Sequence, residues 1–189
     1  GDNPASYTLG KIYANMAGVC WFLKRPQEGI DYLKKAITYY ERTDHKTNAA
    51  DGYNNLGINL ILIGQWDRAQ EALERAFSLA KEVDERGAKV PMILDSLGEL
   101  HMLRGDLDEA KDYLSRAVAL ATENGNKWYA GQALRTLGRC YLVIADPDKA
   151  LLRLSQSVAS EVRFSNRHRS TADSGRRDGP GGRAGKEWG

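Results

Sequence analysis

Few residues in this sequence are of the types that most often carry out catalysis or bind metals, and they are scattered. The three histidines are His45, His101 and His168, and the two cysteines are Cys20 and Cys140. They form no catalytic constellation and lack the spacing of metal ligands. We therefore predict no enzyme activity, no metal site and no cofactor. Both cysteines fall within helical patterns, and we interpret them as buried, reduced thiols, which fits a cytoplasmic protein.

Neighbouring carboxylates are the other pairs that could transfer protons. They occur at Asp84–Glu85 and Asp108–Glu109, near predicted helix ends, where solvation or capping accounts for them. The glycine-rich stretch 179–185 is not followed by a predicted helix, which a phosphate-binding loop requires. His101 occupies a position at which the other units of the repeat described below have large side chains, so a packed role is favoured over a catalytic one.

An internal repeat determines where all these residues lie. Its anchor is a Leu–Gly pair, and successive anchors are 40, 41 and 40 residues apart. The four anchors are Leu56–Gly57, Leu97–Gly98, Leu137–Gly138 and the variant Met16–Ala17. Self-similarity at a fixed period of this size is typical of helical repeat arrays.

Each unit has the pattern of two antiparallel helices joined by a turn. After the anchor come a break, a small residue, a Leu four residues later and a second small residue three beyond it. The breaks are Lys24, Gly64, Gly105 and Ala145, and the Leu residues are Leu33, Leu73, Leu114 and Leu154. The small residue of each anchor is expected to let the second helix approach closely.

Start signals for the second helices follow the breaks. Pro26 and Pro147 suit the first position of a helix, where no amide hydrogen bond is lost. Asp106 and Glu109 have the spacing of a capping box. These signals predict a helix, a tight turn and an antiparallel helix in each unit.

The repeat resembles the tetratricopeptide repeat family. In the second unit the family's signature is matched by Tyr53, Leu56, Gly57, Leu60, Ala69, Leu73 and Ala76. The resemblance implies an all-α fold, a right-handed α-solenoid of four antiparallel helix–turn–helix repeats. We expect the array over residues 1–162, in units of about 5–43, 44–84, 85–124 and 125–162, and a disordered tail over 163–189.

The period is longer than the roughly 34 residues usual in this family. The extra residues lie between units, at 41–51, 80–91 and 121–129, and are mostly polar and compatible with helix. We interpret them as extensions of the helices. Long-period arrays of this kind are similar to those of kinesin light chains, Pins-type polarity adaptors and the sensor regions of large bacterial transcription activators.

The resemblance also implies a ligand site, because the first helices of this family line a concave groove. The residues predicted to bind peptide there are Asn15, Trp21, Asn54, Asn55, Ile58, Leu62, Asp95, Glu99, Met102, Arg135 and Arg139. Asn15 and Asn55 directly precede their anchors, where asparagine in kinesin light-chain-like arrays holds the backbone of an extended peptide. An amide suits this role because it offers both a donor and an acceptor. The alternative is that each amide bonds only its own neighbours.

Four charges are expected to meet in the C-terminal half of this groove. Asp95 and Glu99 share one helix face, and Arg135 and Arg139 occupy the equivalent positions one unit later. The first interpretation is a salt-bridge lattice that supports stacking of the units. The alternative is a selectivity patch for a ligand of complementary charge.

Composition and charge exclude several other partners. The formal net charge is only +2, and the last 30 residues hold seven Lys/Arg against four Asp/Glu, so the array itself is balanced. It lacks the basic patch that is typical of a nucleic-acid binder. No apolar run approaches the ~20 residues of a membrane span. The Arg-, Gly- and Ser-rich tail is interpreted as a solvated linker, with a nucleic-acid tail as the alternative. No signal peptide or initiator Met is visible, so a fragment of a longer protein is plausible.

The sequence therefore predicts a non-catalytic protein-interaction module that binds a peptide or partner helix in its groove. The alternative is a regulatory or oligomerisation segment of a larger signalling or transcription-regulator protein. Such a segment packs on its own chain or on a second copy, for example as a homodimer through the C-terminal unit.

Overall fold

The computed structural model describes residues 4–174, with side chains over residues 5–160. The described residues form helices and connecting turns, with no strand among them. The helices are α1 (Pro4–Phe22), α2 (Pro26–Arg42), α3 (Lys46–Leu62), α4 (Trp66–Val83), α5 (Lys89–Arg104), α6 (Leu107–Glu123), α7 (Lys127–Val143) and α8 (Pro147–Ser174).

The helices pack in chain order, as a right-handed solenoid of four helix pairs requires. Each pairs with its partner within a unit, and each second helix also packs against the first helix of the next unit. The first helices α3, α5 and α7 contact one another along the concave side. One apolar core cluster extends from Ala17 in α1 to Ala133 in α7. Since each unit buries its apolar face only against its neighbours, stability comes from stacking.

The Leu–Gly anchor sets the distance between the two helices of a unit. A Cβ atom built on Gly57 lies 2.6 Å from Cγ of Leu73, and one built on Gly98 lies 2.5 Å from Cγ of Leu114. A Cβ on Gly138 meets Cγ of Leu154 at 2.8 Å. The predicted close approach is confirmed, and the leucine that contacts the glycine is the one 16 residues later in every case.

The breaks between paired helices are also confirmed. Gly64 and Gly105 have φ values of 73° and 90°, and Lys24 and Ala145 have φ values of 58° and 62°. All four lie in the left-handed region, which ends a helix sharply and which glycine adopts without strain. Lys24 and Ala145 adopt the same left-handed conformation as the two glycines. Because they carry a Cβ atom, this conformation is strained for them and not for glycine.

The helix starts agree only in part with the sequence. Pro26 and Pro147 begin α2 and α8 as predicted. Asp106 occupies the N-cap position of α6 but makes no capping hydrogen bond, so the predicted capping box is wrong. Its carboxylate lies 3.7 Å from Nε of Arg104 instead. The guanidinium and the nearby His101 ring draw the side chain away from the backbone amides that it would cap.

The C-terminal helix extends further than predicted. α8 continues to Ser174, so the backbone of residues 163–174, expected to be disordered, is helical. The sequence contains no Gly or Pro between Ser160 and Ser174, and Gly175 is the first residue that interrupts a helix. Residues 175–189, the rest of the predicted tail, lie outside the described part of the chain, and so does the side chain of His168.

Cys20, Cys140 and His101 are packed as predicted. Cys20 and Cys140 are buried and unpaired, and burial raises the pKa of the Cys140 thiol. The ring of His101 stacks on Tyr113 with centroids 5.2 Å apart. His45 stacks on Tyr7 at 4.0 Å. These contacts explain the two histidines without a catalytic role.

Candidate functional site

An open cleft lies on the concave side where α1 and α3 face each other. These helices approach less closely than α3 and α5 or α5 and α7 do. At the positions facing the neighbouring unit α1 carries the small residues Ala14 and Gly18, whereas α3 carries Asn54 and Ile58 at the equivalent positions. A Cβ atom built on Gly18 meets no atom within 4 Å. The small residues of α1 therefore leave space that larger side chains fill in the other units.

The cleft has a volume of about 310 Å³ and mainly apolar walls. Trp21 and Phe22 from α1 form one wall and Ile58 from α3 the other, above Leu33 of α2. The full set of lining residues is Ala14, Ala17, Gly18, Trp21, Phe22, Leu33, Asn55, Ile58 and Asn59. This site can accommodate a large apolar side chain. It brings together three of the predicted peptide-binding residues, Trp21, Asn55 and Ile58.

A second cleft, of about 290 Å³, lies on the other side of Trp21. It is lined by Trp21, Lys24, Arg25, Pro26, Asn59 and Leu62, so it includes the predicted residue Leu62. Trp21 and Asn59 line both clefts.

Asn59 is a site residue that sequence reasoning missed. Its side chain is buried, yet its Oδ1 atom has no hydrogen-bond partner. Its Nδ2 donates to the backbone oxygen of Asn55 at 2.9 Å. The signal in the sequence was a polar residue at a position that is apolar in every other unit, as Val19, Leu100 and Cys140. A buried acceptor without a donor is costly unless something supplies one.

Two of the predicted residues do not reach the groove surface. Asn54 is buried in the array. Met102 is buried in a second core cluster with Leu114, Leu137 and Cys140. Equivalent positions are exposed in α1 and α7, as Trp21 and Leu142, because α1 and α3 are splayed and α7 is the last first helix among the described residues. Burial of Met102 thus follows from the close packing of α7 on α5.

The remaining predicted asparagines are exposed. Asn55 lies at the edge of the first cleft. Asn15 lies on α1 outside the residues that line either cleft. A peptide crossing the first cleft therefore meets Asn55 directly, whereas contact with Asn15 requires a longer path along α1.

The four charges of the C-terminal half do meet across one repeat step. Nη1 of Arg139 lies 2.8 Å from Oε1 of Glu99. Arg135 does not pair with Asp95 but donates to the side chain of Gln132 in its own helix. The predicted lattice thus consists of one interhelical ion pair, and it leaves the other acid without a direct partner of opposite charge.

That other acid, Asp95, has an unusual environment. Burial raises its pKa to about 6, although a hydrogen bond with Thr136 and the charges of Arg135 and Arg139 act in the opposite direction. Its Oδ1 atom is buried and has no hydrogen-bond partner. Like Oδ1 of Asn59, Oδ1 of Asp95 is therefore a buried acceptor on a first helix without a donor.

The described residues lack two other features, a metal-binding cluster and a membrane-spanning helix. No cluster of three or more His, Cys, Asp or Glu side chains in that part of the chain is arranged to hold a metal ion. None of the described helices combines the length and the apolar character needed to cross a membrane.

Comparison with known proteins identifies the family. The model of the tetratricopeptide repeat matches residues 8–82 and 90–160. The chain is 31% identical over 127 residues to the BBSome complex member BBS4 of Bos taurus, covering 66% of this chain and 22% of that protein. It is 25% identical over 166 residues to tetratricopeptide repeat protein 29 of Trypanosoma brucei brucei (strain 927/4 GUTat10.1), covering 86% of this chain and 33% of that protein. It thus spans only about a fifth to a third of these relatives.

Solved structures show the same fold. The Rap conjugation gene regulator of the plasmid pLS20, in complex with the Phr* peptide, superposes with a TM-score of 0.72 at 18% identity, over 84% of this chain and 43% of that chain. The Podosopora anserina putative kinesin light chain with nearly identical TPR-like repeats gives a TM-score of 0.62 at 18% identity, over 82% and 75%. With both halves of the described array matched by the family model, this chain belongs to the tetratricopeptide repeat family.

Proposed function

We propose that this chain is a protein-interaction module whose concave groove binds an extended peptide or a partner helix, with one large apolar side chain anchored in the cleft between α1 and α3. The observation that carries the proposal is the open space at Gly18, bounded by Trp21, Phe22 and Ile58. Apolar pockets with a few directed polar groups are typical of ligand sites, and aromatic walls are typical of the energetic centre of an interface.

The polar groups around the cleft define what the ligand presents. Asn55 is exposed at the edge and can bond both an N–H and a carbonyl of a peptide backbone. The unpartnered Oδ1 of Asn59 is not part of this surface, because it is buried beside Gly29 of α2. Further along the groove, Asp95, Glu99, Arg135 and Arg139 add charges of both signs. The ligand that fits has an apolar anchor followed by polar residues.

The fold neighbour that binds the Phr* peptide supports this assignment, because it shows a solenoid of the same architecture holding a peptide. The proposal places the module in the cytoplasm, where the unpaired Cys20 and Cys140 would remain reduced, and it assigns a scaffolding role in signalling without nucleic-acid or membrane partners.

The experiment uses a library of unstructured peptides that each carry one aromatic or large aliphatic residue. For each peptide retained by the wild-type chain, the affinity is measured for the wild type, for Gly18→Leu, which fills the cleft, and for Gly18→Ala as the matched control. Both substitutions add helix propensity, so folding is preserved, as circular dichroism can verify. We expect Gly18→Leu to weaken binding about tenfold or more, a change of about 1.4 kcal/mol, and Gly18→Ala to change it little. Equal affinities for all three proteins would refute the anchoring cleft.

A second candidate function is an oligomerisation or regulatory segment. It is favoured by the exposed apolar residues Leu142, Leu151 and Val158 of the C-terminal unit. A homodimer through this unit would cover them. Light scattering on the purified chain tests this candidate, because a symmetric homodimer through the C-terminal unit would give the mass of two chains and nothing larger.

A further inference from the structure

The first helix carries an exposed apolar stripe that the groove does not use. Leu9, Ile12, Met16, Val19 and Leu23 follow one another at intervals of three or four residues, so they lie on one face of α1. They are 37–56% exposed. A contiguous apolar stripe of this kind marks an interaction surface rather than scattered surface residues.

The positions of Leu9, Ile12, Met16 and Val19 are buried in every other unit. Ile12 corresponds to Ile93 and Ala133, which are both 0% exposed, and to the buried Gly52. What covers them is the second helix of the preceding unit. A Cβ atom on Gly52, for example, lies 2.8 Å from Cγ1 of Ile37 in α2. The stripe of α1 thus has the form of a socket for a helix of the α2 type.

The other end of the described array carries the matching face. Leu151 and Val158 of α8 occupy the positions of Ile30 and Ile37 in α2. Those two residues are buried against α3 at 0% and 5% exposure, whereas Leu151 and Val158 are 70% and 60% exposed. At the same positions α4 and α6 carry Gln70 and Lys111 in place of Ile30. At the position of Ile30, α8 therefore shares a large aliphatic residue with α2 alone, whereas at the position of Ile37 α4 and α6 also carry apolar residues, Phe77 and Val118.

We propose that the α1 stripe binds α8 of a second copy of this chain, head to tail, and repeats between molecules the junction that α2 and α3 form within one. Val158 of one copy then packs on Ile12 of the next, as Ile37 packs on Gly52. Such a contact joins two different surfaces, so it propagates into linear assemblies and does not close as a symmetric dimer. It leaves the concave cleft between α1 and α3 open.

Three matched substitutions test the proposal in the full 189-residue chain. Val19→Lys blocks the socket, Val158→Lys blocks the α8 face, and Val83→Lys adds the same charge at an exposed valine at the end of α4, outside both surfaces. Light scattering coupled to size-exclusion chromatography gives the molar mass at several concentrations. For the wild type and Val83→Lys, we expect the mass to rise with concentration above the 21.0 kDa of one chain.

The mixture of the two end variants gives the sharpest result. Val19→Lys and Val158→Lys should each run as one chain when alone, because each lacks one half of every contact. Mixed together, they should form a dimer and nothing larger, since each supplies the half that the other lacks. A wild type that stays at the mass of one chain overturns the proposal, and so does assembly that persists in either end variant alone. A mixture that fails to dimerise contradicts the head-to-tail contact as well. Circular dichroism confirms that all variants retain their helices.

Discussion

At the scale of single residues, the glycines of this chain have opposite roles that their spacing alone does not distinguish. Gly57 lies where a side chain would collide with Leu73, whereas Gly18 lies where a side chain would meet open space. Both are in first helices, one residue apart in their position relative to the anchor. The first permits packing within a unit, and the second leaves the cleft that we assign to a ligand.

This contrast predicts opposite effects of the same substitution. Gly57→Ala should lower the free energy of unfolding by about 1–3 kcal/mol, because its Cβ would lie 2.6 Å from Leu73 Cγ and the helices must shift. Gly18→Ala should raise it by about 0.5–1 kcal/mol, because alanine favours helix and the new methyl group meets nothing. Urea unfolding measures both. A loss of stability in Gly18→Ala would show that the cleft is closed in solution.

Asp95 predicts a dependence of stability on pH. Burial raises its pKa to about 6, above the usual 3.8, so the folded chain binds its proton more tightly than the unfolded chain does. The contribution of this group to the free energy of unfolding is therefore greatest below about pH 4 and is lost as the pH rises through about 6.

Asp95→Asn keeps an acceptor for Thr136 and removes the buried charge. It should raise the free energy of unfolding at pH 7.5 by about 1–3 kcal/mol, since one pKa unit corresponds to about 1.4 kcal/mol. At pH 4 the difference from the wild type should be small. Urea unfolding at both pH values measures the change, and a difference of the same size at both would show that ionisation of Asp95 is not its cause.

At the scale of helices and turns, most of the architecture could be predicted from the sequence, because each position of the repeat occurs in four units. The Leu–Gly anchors, the breaks and the partner leucines are visible as recurring types, and the structure confirms their contacts. The capping role of Asp106 failed because its carboxylate interacts with Arg104, a contact that a local motif does not contain. The predicted end of the last helix was wrong, because the composition of a tail does not determine where a preceding helix ends.

The site was less predictable than the helices. Trp21, Asn55, Ile58 and Leu62 line the clefts, because the position of a residue relative to the anchor predicts the face on which it lies. Their role in binding a peptide stays a prediction. Burial of Asn54 and Met102 depends on how closely one unit stacks on the next. That distance varies along the array and is set by side chains of neighbouring units, so the pattern of a single unit does not contain it.

The turns within units carry a prediction of their own. Ala145 has a φ of 62° and is exposed, so Ala145→Gly should relieve strain without losing a contact and raise the free energy of unfolding by about 0.5–1 kcal/mol. Gly64 occupies the same position with a φ of 73° and open space around it. Gly64→Ala should therefore cost about 1 kcal/mol. Thermal unfolding of both variants checks the pair, and a destabilised Ala145→Gly would contradict this explanation of the turn.

At the scale of the whole molecule, one stacking rule produces three surfaces. Where first helices pack closely, as α5 and α7 do, the concave side is closed and carries the Glu99–Arg139 ion pair. Where α1 and α3 are splayed, the cleft opens. At the two ends, the faces that stack inside the array remain exposed. The proposed ligand binding in the cleft and the proposed assembly through α1 and α8 therefore involve different residues and can be changed separately.

We propose that the cleft between α1 and α3 holds the ligand, and a bound peptide can be mapped on the chain by nuclear magnetic resonance. A peptide selected from the library is titrated into ¹⁵N-labelled chain, and the spectrum reports the Gly18 amide, the Trp21 indole N–H and the side-chain amides of Asn55 and Asn59. We predict that these signals shift together and saturate at one peptide per chain. Signals that remain in place while those of the convex helices or of α8 shift would contradict it.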